Sequence, residues 1–115
     1  MIATDWVDAL AAAIQRDPSL HLETWARSHR LSPETVSRGF KRVFGVAPRR
    51  FRAEIRAQRA LRAMLDGRDP LSQVAVAEGF SDQSHMTRAV VALTGKTPRT
   101  WRNAGKQAAV RAAVS

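Results

Sequence analysis

The sequence predicts an all-α protein of seven helices, arranged as two helix-turn-helix subdomains joined by a long linker helix. Three observations carry that expectation. Strand signals are nearly absent: the 115 residues include no tyrosine and no sustained period-two alternation of β-branched residues. Helix punctuation is frequent, with Ser-Pro or Thr-Pro where helices open and Gly where they close. Finally, residues 22–52 recur in altered form as residues 72–102.

The elements follow in order. A first helix is expected from Asp5 to Arg16, with Trp6, Leu10, Ala13 and Ile14 on one face, ending before Asp17-Pro18. A second, from Leu22 to His29, turns Leu22, Trp25 and Ala26 inward. A third opens at Ser32-Pro33-Glu34, a capping hydroxyl, a proline in the first turn and an acid favoured by the helix dipole. It directs Val36, Phe40, Val43 and Phe44 inward and stops at Gly45. The linker helix runs from Pro48 to Asp66, with Phe51, Ile55, Leu61 and Leu65 among its apolar positions. A short fifth helix follows Ser72 and ends at Gly79. A sixth starts after Ser81, buries Met86, Val90 and Leu93, and ends at Gly95. The last opens at Thr97-Pro98 and includes Trp101; the Ala-rich stretch after Arg102 either extends it or frays. This predicts a first subdomain over 1–47, the linker over 48–66, a second subdomain over 67–105 and a tail over 106–115.

The repeat keeps its spacing except for one residue in a turn. Arg38, Gly45, Pro48, Phe51 and Arg52 correspond to Arg88, Gly95, Pro98, Trp101 and Arg102 at an offset of 50. Trp25-Ala26 matches Val74-Ala75 at 49, so the second copy has one extra residue in its turn. Among inward positions, Val36 pairs with Met86, Phe40 with Val90 and Val43 with Leu93. Each copy is a short helix, a tight turn and a longer amphipathic helix, the helix-turn-helix pattern. A linker of about 19 residues rises roughly 28 Å. That is near the ~34 Å between successive major grooves on one face of B-DNA.

Charge narrows the function. The formal net charge is +9, and residues 30–62 hold ten basic side chains against two acids, Glu34 and Glu54. A segment so unbalanced repels itself unless it meets a polyanion. Sixteen of the 19 bases are Arg, suited to forked contacts with phosphate and guanine. With no cysteine, disulfides, thiolate zinc sites and cysteine nucleophiles are excluded. His21, His29 and His85 have no partner at metal-ligand spacing, so no metal and no cofactor is expected. HExxH, P-loop and GxSxG motifs are missing, so no enzyme is expected either. No apolar run is long enough to span a membrane, and Asp5, Asp8 and Asp17 stand where a signal peptide would be basic and then apolar. A soluble, cytoplasmic, nucleic-acid-binding protein is the expectation.

Taken together, LSPETVSRGFKRVFGVAP and VAVAEGFSDQSHMTRAVVALTGKTPRTWR resemble the DNA-binding domain of AraC/XylS transcriptional regulators over residues 18–102. The resemblance implies sequence-specific binding to double-stranded DNA, with recognition helices over 33–44 and 82–94 entering adjacent major grooves. It implies base contacts from Glu34, Thr35, Ser37 and Arg38, and from Gln83, Ser84, His85, Thr87 and Arg88. These same side chains lie off the apolar stripes. Lys41, Arg42, Arg49, Arg50, Arg52 and Lys96 are the candidates for phosphate. For Arg52, Arg56 and Arg59, phosphate contact and internal bonding both stay open. Trp6, Trp25 and Trp101 are assigned to the core.

The sequence departs from the family's pattern at three places. Val90-Val91-Ala92 replaces an aromatic and basic stretch, Gly39 lies inside the first recognition helix, and His21 takes a cap position where Ser is better. RNA polymerase is an expected second partner. The chain is expected to bind DNA as a monomer, unless it is a fragment of a larger regulator. The alternatives are a charge-driven binder indifferent to sequence and a protein-interaction module on the same fold.

Overall fold

The computed structural model describes the backbone of residues 5–114 and the side chains of residues 6–106. Residues 1–4 and 115, the start of the expected first subdomain and the end of the expected tail, lie outside the described residues. The helices are α1 (Asp5–Arg16), α2 (Leu22–Ser28), α3 (Pro33–Phe44), α4 (Pro48–Asp66), α5 (Leu71–Ala77), α6 (Gln83–Thr94) and α7 (Pro98–Val114). No strand occurs among the described residues, and the class is all-α as expected. Two compact units divide between Ile55 and Arg56, within α4.

In the first unit, α1 places Val7, Leu10, Ala11 and Ile14 on one side at helical spacing. They meet Trp25 and Ala26 of α2 and Val36 and Phe40 of α3, and Phe51 and Ile55 of α4 pack against this core. Leu10, Ile14 and Phe40 are fully buried; removing side chains of this size from water stabilises by about 1.5–3 kcal/mol each. The second unit repeats the scheme with the later turns of α4 in the place of α1. Ala57, Ala60 and Met64 face Val74 and Ala75 of α5, Phe80 of the turn, and Met86 and Val90 of α6. Trp101 of α7 packs against the cluster, and its indole N–H donates to the Thr94 hydroxyl at 2.9 Å.

Local chemistry sets the helix ends. Gly45 and Gly95 both adopt φ 81°, and each N–H donates to the carbonyl four residues back at 2.8 Å. Ser32 caps α3 by accepting from the Thr35 N–H at 3.2 Å. His21 caps α2, with Nδ1 accepting from the Thr24 N–H at 3.3 Å. An imidazole therefore does what the sequence would have given to Ser.

Several expectations change. Val43 and Phe44 are not core residues: they are 49% and 38% exposed. Phe44 lays its ring on Phe40 at 4.7 Å between centroids and leaves its outer face in solvent. Val43 lines an open groove of about 400 Å³ together with Trp6, Arg38 and Arg42. The inward pairing of Val43 with half-buried Leu93 therefore fails. Helix α5 begins at Leu71, placing Ser72 inside the helix, because Pro70 has the extended conformation and its carbonyl receives the first helical N–H groups. The cap of α6 is Asp82, one residue later than Ser81, because a carboxylate oxygen accepts from the His85 N–H at 2.8 Å. Helix α2 stops at Ser28, with His29 as its C-cap. For the stretch after Arg102, where extension and fraying were both open, the backbone continues α7 to Val114.

Candidate nucleic-acid interface

Each unit turns the corner between its two short helices by one residue with positive φ. In the first unit that residue is Arg30, at φ 57°; in the second, at an offset of 49, it is Gly79 at φ 87°. The next N–H, of Leu31 or Phe80, donates to the carbonyl of Ala26 or Ala75 at 2.9 Å in both units. The second turn then holds one more residue, Ser81. Its backbone N–H and hydroxyl lie 3.4 and 3.2 Å from Nδ1 of His85, whose ring stands edge-on to Phe80 with centroids 5.1 Å apart. His85 thus braces the inserted residue, and this half-buried side chain has a local structural task beside its expected base contact.

Successive helical residues are separated by about 100°. Arg38 therefore projects opposite both Val36 and Phe40, and Arg88 opposite both Met86 and Val90. Those four are buried, while both arginines are exposed. Glu34, Lys41 and Arg42 flank Arg38 on the exposed side of α3, and Ser84 joins Arg88 on α6. Thr35 is exposed, and its hydroxyl accepts from Ser32 at 2.9 Å. Ser37 and Thr87 stand on the other flank, each in a cleft beside the helix that follows. Gln83 lines the second of these clefts.

The expected phosphate contacts separate into two groups. Lys41, Arg42 and Arg49 are exposed, with no hydrogen bond or ion pair to another described residue. Arg50 lies 3.5 Å from Glu54 one turn on, an exposed pair that contributes little to stability. Lys96 places its ammonium 5.1 Å from the centre of the Trp101 ring. Arg52 is committed internally: Nη1 donates to the Leu20 carbonyl at 3.1 Å from a half-buried position. Arg102, its counterpart, donates from Nη1 to the Asp69 carbonyl at 2.7 Å and from Nε and Nη2 to the Met64 carbonyl at 3.3 Å each. Leu20 and Asp69 are themselves equivalent at the offset of 49. The repeat therefore includes a tertiary hydrogen bond, and for Arg52 the internal alternative is the one realised.

Two features escaped the sequence reading. Gly39 is small because the indole of Trp6 lies against it: a Cβ there would stand 2.5 Å from Cζ2. Arg99 lines the second cleft as Arg49 lines the first, and the offset of 50 was the available signal. Among the described residues, no group of three or more His, Asp or Glu side chains could hold a metal ion, and no helix is long and apolar enough to cross a membrane.

Two units, each with a capped and exposed second helix behind a tight turn, define a double helix-turn-helix protein. The chain belongs to the AraC-type helix-turn-helix domain family; the family model, described as a helix-turn-helix domain, matches residues 25–104. It is 31% identical over 84 residues to the uncharacterized HTH-type transcriptional regulator YobQ of Bacillus subtilis (strain 168). That match takes in 73% of this chain and 35% of YobQ, so the chain spans about a third of that relative's length. The fold is similar to the C-terminal domain of AraT, a response regulator from Geobacillus stearothermophilus, with TM-score 0.79 and 24% identity over 87% of this chain and 85% of that one. It is also similar to a probable AraC family transcriptional regulator from Rhodopseudomonas palustris CGA009, with TM-score 0.76 and 22% identity over 86% and 95% of the two chains.

Proposed function

We propose that this chain is a sequence-specific reader of double-stranded DNA that regulates transcription, inserting α3 and α6 into adjacent major grooves of one duplex. The observation that carries this reading is the equivalent placement of Arg38 and Arg88. Each projects from the exposed side of a capped helix, opposite two buried residues. An arginine so placed suits a bidentate contact with O6 and N7 of guanine. Glu34 and Ser84 extend the two reading rows; Thr35, Gln83 and His85 border them. Lys41, Arg42 and Arg49 supply phosphate contacts, and Arg50 adds one when it exchanges Glu54 for the backbone.

In this reading, residues 1–47 and 67–105 are the two DNA-binding halves, with the helix over 48–66 as the link and 106–115 as an appendage. A monomer covers two unlike half-sites, since the rows differ in sequence. The chain acts by binding and not by catalysis, in the cytoplasm where its DNA lies, and RNA polymerase is the second partner through which it changes transcription. The relative's description as a transcriptional regulator supports that role.

The test is selection from a random duplex pool, followed by affinity for the selected duplex and a scrambled one at two salt concentrations. The expected result is an asymmetric site whose two elements lie about one helical turn apart. No enrichment, with equally steep salt dependence on every duplex, would leave a charge-driven binder in its place.

A further inference from the structure

Each unit contains a surface cleft of about 250 Å³, and the two clefts are lined at equivalent positions. The first is bounded by Leu22 of α2, Ser37 of α3, and Pro48 and Arg49 of α4. The second is bounded by Leu71 of α5, Thr87 of α6, and Pro98 and Arg99 of α7. The leucines correspond at the offset of 49 and the other three pairs at 50. Each cleft therefore offers one guanidinium, one hydroxyl from the recognition helix and an apolar wall, in two units whose other surface residues differ widely. Thr97 adds a second hydroxyl to the second cleft, where it is already bonded to Thr100 at 2.8 Å. Ser37, Arg49, Thr87 and Arg99 make no side-chain hydrogen bond or ion pair to another described residue.

We infer that these clefts are matched seats for one DNA backbone phosphate each, held by Arg49 with Ser37 in the first unit and by Arg99 with Thr87 in the second. The inference rests on the DNA-binding reading above and reassigns two residues to which the family resemblance gives base contacts: Ser37 and Thr87 hold the backbone and do not read bases. The geometry of a helix in a groove favours this. An α-helix with its side chains is about 10–12 Å across and the major groove about 12 Å wide. The row at the tip of the helix then faces base edges, and its flanks face the sugar-phosphate walls. Ser37 and Thr87 each precede an outward arginine by one residue, or about 100° around the helix, and the clefts place them on the flank. A phosphodiester oxygen accepts from both a forked guanidinium and a hydroxyl.

The seats differ in charge. Glu23 lines the first cleft and offsets Arg49, whereas Arg99 has no acid among the residues lining the second. The second recognition helix also lacks basic residues after Arg88, where Val90, Val91 and Ala92 follow. Arg99 thus supplies backbone-directed charge that α6 itself lacks.

The experiment is the salt dependence of affinity for the selected duplex and a scrambled control. It compares the unsubstituted 115-residue chain with Arg99→Gln, Arg49→Gln, Thr87→Val and Thr87→Ser, each checked for an unchanged helical melting profile. The two arginine variants are expected to lower the slope of log K against log salt by about 0.9 each. Thr87→Val is expected to weaken binding to both duplexes by the same factor, about threefold to tenfold, with base preference unchanged and Thr87→Ser restoring affinity. A change of base preference in Thr87→Val would overturn the reassignment, and an unchanged slope in Arg99→Gln and Arg49→Gln would overturn the phosphate seats. Absence of duplex binding by the unsubstituted chain would instead overturn the DNA-binding reading, and this inference with it.

Discussion

The indole of Trp6 occupies the space in which a side chain on Gly39 would stand, with Cζ2 and Cη2 lying 2.5 and 2.9 Å from an ideal Cβ. Gly39 therefore trades helix propensity for a close approach of α1 to the recognition helix α3. Gly39→Ala gains about 1 kcal/mol of propensity, but it displaces the indole and is expected to cost a net 1–2 kcal/mol or so through strained packing. In a Trp6→Ala background the same substitution should stabilise. Thermal unfolding of the four variants in a double-mutant cycle measures the sign in each background, and stabilisation by Gly39→Ala in both would remove the steric account.

Arg102 ties the end of α4 to the loop before α5, since one guanidinium reaches the carbonyls of both Met64 and Asp69. The Met64 carbonyl lies in the last turn of α4, where backbone acceptors lack helical partners. Lysine cannot present two planar donors to one carbonyl and a third to another. Arg102→Lys is therefore expected to destabilise the protein by about 1–2 kcal/mol and Arg102→Ala by somewhat more. Chemical denaturation measures both, and full stability of the lysine variant would show the fork to be dispensable.

Arg30 adopts φ 57° at the corner where the second unit uses Gly79. A left-handed conformation costs an L-residue roughly 1–2 kcal/mol, partly offset in a glycine variant by the greater freedom of its unfolded chain. Arg30→Gly should accordingly raise stability by about 0.5–1 kcal/mol, and Gly79→Ala should lower it by about 1 kcal/mol or more. A fall in melting temperature for Arg30→Gly would mean that the arginine side chain contributes more than its backbone costs.

Arg88 is the side chain best placed to read a base in the second unit. Arg88→Ala is expected to relax discrimination at one or two base pairs in one half of the site by about 1–3 kcal/mol, leaving the other half unchanged. Competition among single-base variants of the selected duplex resolves this. Equal loss on every variant would give Arg88 a backbone-holding role.

Chemistry carried by near neighbours was legible from the residues alone. Ser32-Pro33, Gly45, Thr97-Pro98 and Gly95 mark helix ends through hydrogen bonds and dihedral preferences within one turn, so α3, α4 and α6 lie within a residue of their expected bounds and α7 opens where expected. The double unit was legible for the same reason, since equal local chemistry recurs at a constant offset. One boundary moved where the deciding partner was a competing neighbour: α6 starts at Gln83 and not directly after Ser81, because the Asp82 carboxylate accepts the His85 N–H and caps the helix, leaving the Ser81 hydroxyl for the imidazole.

Distant residues decided the rest. Arg52 stood open between a phosphate and an internal partner until its guanidinium met the carbonyl of Leu20, thirty-two residues earlier. Gly39 looked like a weak point in a helix until Trp6 filled its place. Ser37 and Thr87 shared a polar face with Arg38 and Arg88 until the following helices put them in clefts. Periodicity reports which side of a helix is apolar. Whether a polar side chain is already occupied depends on which segment the chain brings back beside it, and in each unit that segment is the start of the next long helix.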